Sequence, residues 1–147
     1  MNPPQRGHLW IQSLVPFTGE DVFKAQKVFT EASRELGFHF NPIHLPYPEW
    51  VHSAAKFVAS FGVDSDPAKA RKNLESARKL YTLGAEHGWG EYRTHPLLHE
   101  HVMDTYSFNN HALRRFHETL KDTLDPNGII GNGKYGIWPK RFRENKG

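Results

Sequence analysis

The sequence predicts an α+β fold with the element order βαββα, followed by further helices and an irregular tail. Two long segments carry apolar residues at helical spacing, shorter aromatic and β-branched segments lie beside them, and glycines gather near the C-terminus. A chain of 147 residues can bury a core without disulfides or a metal, so one domain is the default expectation.

The first strand and the first helix follow from residue spacing. Residues 8–17 alternate large apolar with polar side chains, as a strand does. Thr18 then offers a helix cap, and Gly37 marks the end of an apolar stripe whose members recur at steps of three and four. The stripe consists of Val22, Ala25, Phe29, Ala32 and Leu36. We therefore expect an amphipathic helix after the first strand.

Two more strands and a second helix complete the predicted unit. Residues 38–45 and 49–62 are aromatic and β-branched segments joined by Pro-Tyr-Pro, which is consistent with two strands. Asp66 and Pro67 stand in the order of a helix cap and a first-turn proline. The apolar stripe that follows consists of Ala70, Leu74, Ala77, Tyr81 and Gly84. Because both stripes need an apolar surface, we expect the two helices on one face of the sheet.

The rest of the chain is expected to be mainly helical before it becomes irregular. Residues 88–95 form a short extended piece, and one helix is predicted from Pro96 to about Tyr106. Another helix is predicted from Asn109, with an apolar stripe of Leu113, Phe116, Leu120 and Leu124.

The segment DPNGIIGNGKYGIWP at residues 125–139 matches two nucleotide-binding patterns in residue type and spacing. Gly128, Gly133 and Lys134 spell the phosphate loop, and Gly131, Gly133 and Gly136 spell the dinucleotide fingerprint. Both motifs must follow a strand and open a helix, whereas this segment follows a predicted helix and leaves too short a tail for another. We interpret the glycines as sites of tight bends or of close approach to a bulky group.

Composition excludes several classes of protein. The chain lacks cysteine, which excludes disulfides and thiolate-bound metals and fits a reducing compartment. The net charge is +3, and the basic residues gather near the C-terminus, which we interpret as a solvated tail rather than a nucleic-acid surface. Neither a membrane span nor a signal sequence is visible. We predict a cytoplasmic protein with no membrane or nucleic-acid partner, and the peroxisome stays open as an alternative.

A group of histidines near residue 100 suggests a metal site at first sight. Pro96 places His95 at or before the start of a helix, while His99 and His101 point to different faces of that helix. We therefore predict no metal site.

The second half of the chain resembles a known family of flavoproteins. The segments GWGEYRTH (88–95), FNNHALRRFHETLKDTLDPNGII (108–130) and GKYGIWP (133–139) are similar to the C-terminal region of the vanillyl-alcohol oxidase and p-cresol methylhydroxylase family of FAD-linked oxidases. The first half resembles the family in element order and in GHLW and TGED. One departure is Gly131-Asn132, where the family carries Ala-Pro.

The resemblance implies a division of the chain into two regions. Residues 1–95 correspond to a ferredoxin-like βαββα substrate cap, and residues 96–147 to C-terminal helices and a tail that pack on an FAD-binding domain. The flavin-cradling segments of the family have no counterpart in the sequence. We therefore expect a truncated gene or one piece of a longer protein, which alone binds FAD weakly or not at all and is inactive.

Three positions correspond to residues that carry the chemistry of the family. Tyr92 and Arg93 correspond to the adjacent pair that binds the phenolic oxygen of the substrate. A guanidinium keeps its charge and can stabilise a phenolate at neutral pH, which pushes electron density to the para carbon and eases hydride loss to a quinone methide. Glu91 either lines the same pocket or pairs with a neighbouring arginine. His8, in GHLW, resembles the cap histidine that is joined covalently to the flavin in the oxidase branch.

The resemblance implies FAD-dependent oxidation of para-substituted phenols by hydride transfer from a bound phenolate to the flavin. The implied partners are a phenolic substrate, the FAD-binding domain of the same protein and further copies of the full-length chain. Two alternatives stay open, namely a non-catalytic α+β fragment and a subunit of a 4-alkylphenol dehydrogenase that passes electrons to a cytochrome. Trp89, Trp138, Phe108 and Phe116 are candidates for a pocket wall, but aromatic residues at such spacing are often core residues.

Overall fold

A computed structural model describes residues 7–37, 50–51, 54–63 and 65–144 of the chain. The chain divides into two compact units, Met1–His95 and Pro96–Gly147. The predicted strand at residues 38–45 lies outside the described residues. Among the helices that are described, none is both long enough and apolar enough to cross a membrane.

The first unit combines a four-stranded antiparallel sheet with two helices, as an α+β fold does. Its elements are β1 (Gly7–Pro16), α1 (Gly19–Glu35), β2 (Trp50–Val51), β3 (Ala54–Val63), α2 (Pro67–Glu86) and β4 (Gly90–Glu91). The strand order is β2-β3-β1-β4. β1 pairs with β3 along its whole length and with β4 on its other side, so it lies inside the sheet.

Both long helices begin at the caps that the sequence predicts. The hydroxyl of Thr18 accepts the amide of Asp21 at 3.1 Å, and the carboxylate of Asp66 accepts the amides of Ala68 and Lys69 at 2.9 and 3.0 Å. These side chains satisfy amides that the first turn of a helix leaves without a main-chain partner.

The core of the first unit lies between the helices and one face of β1. Alternate residues of β1 are buried, namely Leu9, Ile11, Ser13 and Val15. The two helices contact each other and β1. They meet at Gly84 of α2, where an added Cβ would lie 3.2 Å from Ser13 Oγ and 3.3 Å from Phe29 Cζ of α1. Both helices therefore pack on the same face of the sheet, as their apolar stripes predicted.

The predicted single strand at residues 49–62 is wrong, because the structure has two strands there. Trp50 of β2 lies opposite Ala55 of β3, and Val51 lies opposite Ala54. A connection of two residues is enough to join antiparallel strands. The aromatic and β-branched composition that indicated one strand fits either arrangement.

The second unit consists of helices and turns. Its elements are a 3-10 turn at Pro96–Leu98, α3 (His99–Thr105), α4 (Phe108–Leu124), a 3-10 turn at Lys134–Gly136 and α5 (Lys140–Arg143). The predicted start of α4 at Asn109 needs a correction. Asn109, Asn110 and His111 have φ of 47°, 51° and 55°, so regular α-helical geometry begins only after them. Asparagine and histidine are among the residues that tolerate this left-handed conformation.

The glycine-rich segment makes tight bends around a tryptophan. Gly133 has a φ of +75°, and an added Cβ would overlap the indole ring of Trp138. The indole of Trp138 donates to Glu100 Oε1 at 2.6 Å. Asp125 accepts the amides of Ile129 and Ile130 at 2.8 and 2.9 Å, which closes the preceding turn. The glycines therefore serve close packing, as the sequence interpretation proposed.

Candidate functional site

Tyr92 and Arg93 lie directly after β4, where the chain leaves the sheet. The amide of Tyr92 donates to the carbonyl of Gln12 at 2.8 Å, which ties the turn to β1. The guanidinium carbon of Arg93 lies 5.7 Å from the centre of the Tyr92 ring, within cation–π range. Tyr92 is 36% exposed, and Arg93 is exposed too. The two predicted residues are thus adjacent and accessible on the first unit.

The buried side chain of Glu91 holds this turn through hydrogen bonds to main-chain amides. Its side chain is buried, and its carboxylate accepts the amide of Gln12 at 2.9 and 3.0 Å to the two oxygens. It also accepts the amide of Arg93. Burial raises the pKa of Glu91 to about 8, although the two amides oppose that shift. The structure therefore adds a main-chain role to the two roles that the sequence left open for Glu91.

A second polar contact holds the other end of the turn. The buried hydroxyl of Thr94 donates to the hydroxyl of Tyr81 at 3.0 Å, and Tyr81 donates to the carbonyl of Trp10 at 2.8 Å. Burial, with the nearby Glu91, raises the pKa of Tyr81, so its hydroxyl stays protonated and can donate. The Tyr92–Arg93 turn is thus anchored through Glu91 to β1 and through Thr94 to α2.

The four aromatic candidates for a pocket wall differ in their surroundings. Trp89 is only 4% exposed and lies 5.7 Å from the ring of Phe29, so it is a core residue of the first unit. Trp138 is half-buried in the second unit. Phe108 and Phe116 of α4 are 86% and 59% exposed.

His8 is the second residue of β1 and lies opposite Gly62 of β3. It precedes Gln12, whose carbonyl accepts the amide of Tyr92, by four residues, which corresponds to about 13 Å along an extended strand. The backbone therefore places the predicted flavin-linking residue on the strand that supports the Tyr92–Arg93 turn.

Of the histidines near residue 100, His99 makes packing and hydrogen-bond contacts within the second unit. In the second unit, His99 is buried, its ring stacks on Tyr135 at 4.6 Å, and its Nδ1 accepts the amide of Tyr135 at 3.0 Å. Within the part of the chain that the structure describes, no three histidine or carboxylate side chains lie together as a metal site requires.

Solved structures of similar fold identify the family. No protein-family profile matches the chain. The chain is similar to 4-ethylphenol oxidase from Gulosibacter chungangensis, solved in complex with isoeugenol, with a TM-score of 0.82 and 36% identity over 95% of this chain. The chain fits the vanillyl-alcohol oxidase and p-cresol methylhydroxylase family. The fold is also similar to that of p-cresol methylhydroxylase with substrate bound, with a TM-score of 0.73, 18% identity and 90% of this chain covered.

The chain spans only about a quarter of the length of these flavoproteins, 26% of the first and 24% of the second. It therefore corresponds to a fragment of the family's architecture. The family resemblance carried by residues 88–95, 108–130 and 133–139 is confirmed. The sequence did not reveal the contact of Glu91 with Gln12, 79 residues away, or that of Thr94 with Tyr81, 13 residues away, because no local pattern encodes either contact. The only local signal for them was the position of these two residues on either side of the Tyr-Arg pair.

Proposed function

We propose that the chain is the C-terminal part, including the substrate cap, of an FAD-dependent oxidoreductase that oxidises para-substituted phenols. The observation that carries the proposal is the accessible Tyr92–Arg93 pair, held by buried polar contacts at the edge of the sheet. The similarity to 4-ethylphenol oxidase supports the substrate class. The strand order β2-β3-β1-β4, with both helices on one face, supports a ferredoxin-like cap for residues 1–95.

In this proposal, Tyr92 and Arg93 bind the phenolic oxygen of the substrate. A phenol has an ordinary pKa of about 10, and a permanently charged guanidinium with a hydroxyl donor favours the ionised form at neutral pH. The turn is already fixed before substrate arrives, so little reorganisation is needed as charge develops. FAD, when bound, supplies the acceptor for the hydride that leaves the para carbon.

We propose His8 as the covalent attachment residue for the flavin. Its support is its place on β1, the strand that also holds the Tyr92–Arg93 turn. The test uses a hybrid flavoprotein, in which residues 1–147 replace the matching region of 4-ethylphenol oxidase. In this hybrid, the flavin should stay with the protein after acid precipitation, and it should be released from the His8→Ala variant. Release of all flavin from both proteins would exclude the covalent link.

Residues 96–147 are proposed to pack on the FAD-binding domain of the same protein. α4 contains no buried residue, and large apolar side chains stay exposed on this unit. They include Phe108 at 86%, Leu124 at 77%, Ile129 at 82% and Ile130 at 71%. Exposed apolar clusters commonly mark an interface. Hydroxyl-radical footprinting should show Phe108 protected in the hybrid flavoprotein, and equal labelling in the isolated chain would contradict this.

The experiment that tests the function uses the same hybrid flavoprotein. We expect the hybrid to bind flavin and to be reduced by 4-ethylphenol under anaerobic conditions, as followed by flavin absorbance. The isolated 147-residue chain is the control, and we expect it to purify without colour. A flavin-loaded hybrid that 4-ethylphenol does not reduce would favour the alternative of a non-catalytic fragment.

The electron acceptor and the assembly state are separate predictions. Reoxidation of the reduced hybrid by oxygen or only by a cytochrome distinguishes an oxidase from a cytochrome-coupled dehydrogenase. Homo-oligomer formation by the full-length protein and a cytoplasmic or peroxisomal location stay predictions of the family resemblance.

A further inference from the structure

The carboxylate of Glu91 replaces a main-chain acceptor where β4 ends. The amide of Tyr92 donates to the carbonyl of Gln12 at 2.8 Å. In a regular antiparallel pair, the amide of Gln12 would donate back to the carbonyl of Tyr92. Instead, that amide lies 2.9 Å from Oε1 and 3.0 Å from Oε2 of Glu91. The side chain of Glu91 thus completes the ladder, and the backbone can turn away from the sheet at Tyr92.

The same carboxylate binds a second amide beyond the turn. The amide of Arg93 also donates to Glu91. One side chain therefore bridges β1 and the peptide that carries the guanidinium of Arg93. The two hydrogen bonds restrict the backbone of the turn, because both amides must point towards the same buried carboxyl group.

Burial makes this bridge sensitive to the charge of the Glu91 carboxyl group, because burial disfavours the ionised form whereas the two amides favour it. Glu91 is 8% exposed, and it couples electrostatically to Tyr81 of α2. The pKa of Glu91 is raised to about 8, above its ordinary value of 4.5. The stability contributed by this group is therefore fully present below about pH 4.5 and is lost as the pH rises towards 8.

We propose that Glu91 is a positioning residue, which holds the Tyr92–Arg93 pair in its binding geometry by accepting the amides of Gln12 and Arg93. The catalytic meaning of that geometry rests on the proposed function. The structural part, that one side chain fixes both amides, concerns the 147-residue chain alone.

The structural part is tested by amide NMR of the 147-residue chain across a pH series. The amide protons of Gln12 and Arg93 should shift together with one midpoint, well above that of an ordinary carboxyl group. Glu91→Gln should abolish the shared shift, and Glu86→Gln, a change at an exposed position near the end of α2, should preserve it. Independent midpoints for the two amides, or a shared shift that persists in Glu91→Gln, would overturn the proposal.

The positioning role is tested in the hybrid flavoprotein by a double-mutant cycle. Glu91→Gln should lower the rate of flavin reduction by a 4-alkylphenol about tenfold, and this loss should vanish in the Arg93→Ala background because the two residues act as one unit. An equal loss in both backgrounds would show that Glu91 does not act through Arg93, and would overturn the positioning role. If Arg93→Ala itself has no effect, the proposed function fails, and the NMR result still decides whether Glu91 fixes the turn.

Discussion

Replacing Arg93 with alanine in the hybrid flavoprotein should cost about 2–4 kcal/mol in the reductive step, about 30-fold to 1,000-fold in rate. The guanidinium contact strengthens as negative charge settles on the phenolic oxygen, so its loss affects the transition state more than substrate binding. Stopped-flow measurement of flavin reduction by a 4-alkylphenol gives the rate directly.

Two further variants make this result specific. Tyr92→Phe should slow the reaction less, because one hydrogen-bond donor is lost while the guanidinium stays. Arg71→Ala, which removes an exposed arginine from α2, should leave the rate unchanged. A normal rate in Arg93→Ala would mean that other residues bind the substrate or that the substrate belongs to another class.

Phe29→Ala should lower the free energy of unfolding of the first unit by about 3–5 kcal/mol. Phe29 is fully buried and meets Gly84 of α2 and the ring of Trp89, which lies just before β4. The truncation would leave a cavity where α1, α2 and the sheet meet. Urea unfolding followed by circular dichroism measures the loss.

The matched control for this change is Phe23→Ala on the same helix. Phe23 is 73% exposed, so its truncation should change the unfolding free energy by no more than about 0.5 kcal/mol. Equal losses in the two variants would show that the core is not centred on Phe29.

The long helices of the first unit could be predicted because their signals are local. Thr18 and Asp66 mark the helix starts through their own side chains, and the buried Phe29 and Ala77 lie on stripes visible in the sequence. The prediction of the Tyr92–Arg93 pair rests on the family resemblance, since a Tyr-Arg dipeptide alone is much more typical of a surface strand than of a binding site.

The features that the sequence did not predict depend on distant or strained residues. The contact between Gln12 and Glu91 joins positions separated by 79 residues, and no periodicity encodes it. The division of residues 49–62 into two strands could not be predicted, because the composition of this segment supports one strand or two. The left-handed geometry at Asn109–His111 interrupts a segment whose apolar spacing is that of a regular helix.

The most direct test of the proposed site is the absorbance of a bound phenol that cannot be oxidised. 4-Chlorophenol has no oxidisable carbon at the para position, so its ionisation can be followed in the hybrid flavoprotein at neutral pH by difference spectroscopy. We predict the spectrum of the phenolate with wild-type Tyr92 and Arg93, and the spectrum of the neutral phenol in the Arg93→Ala variant. A bound phenol that stays neutral in both proteins, or is ionised in both, would contradict the assignment of phenolate binding to this pair.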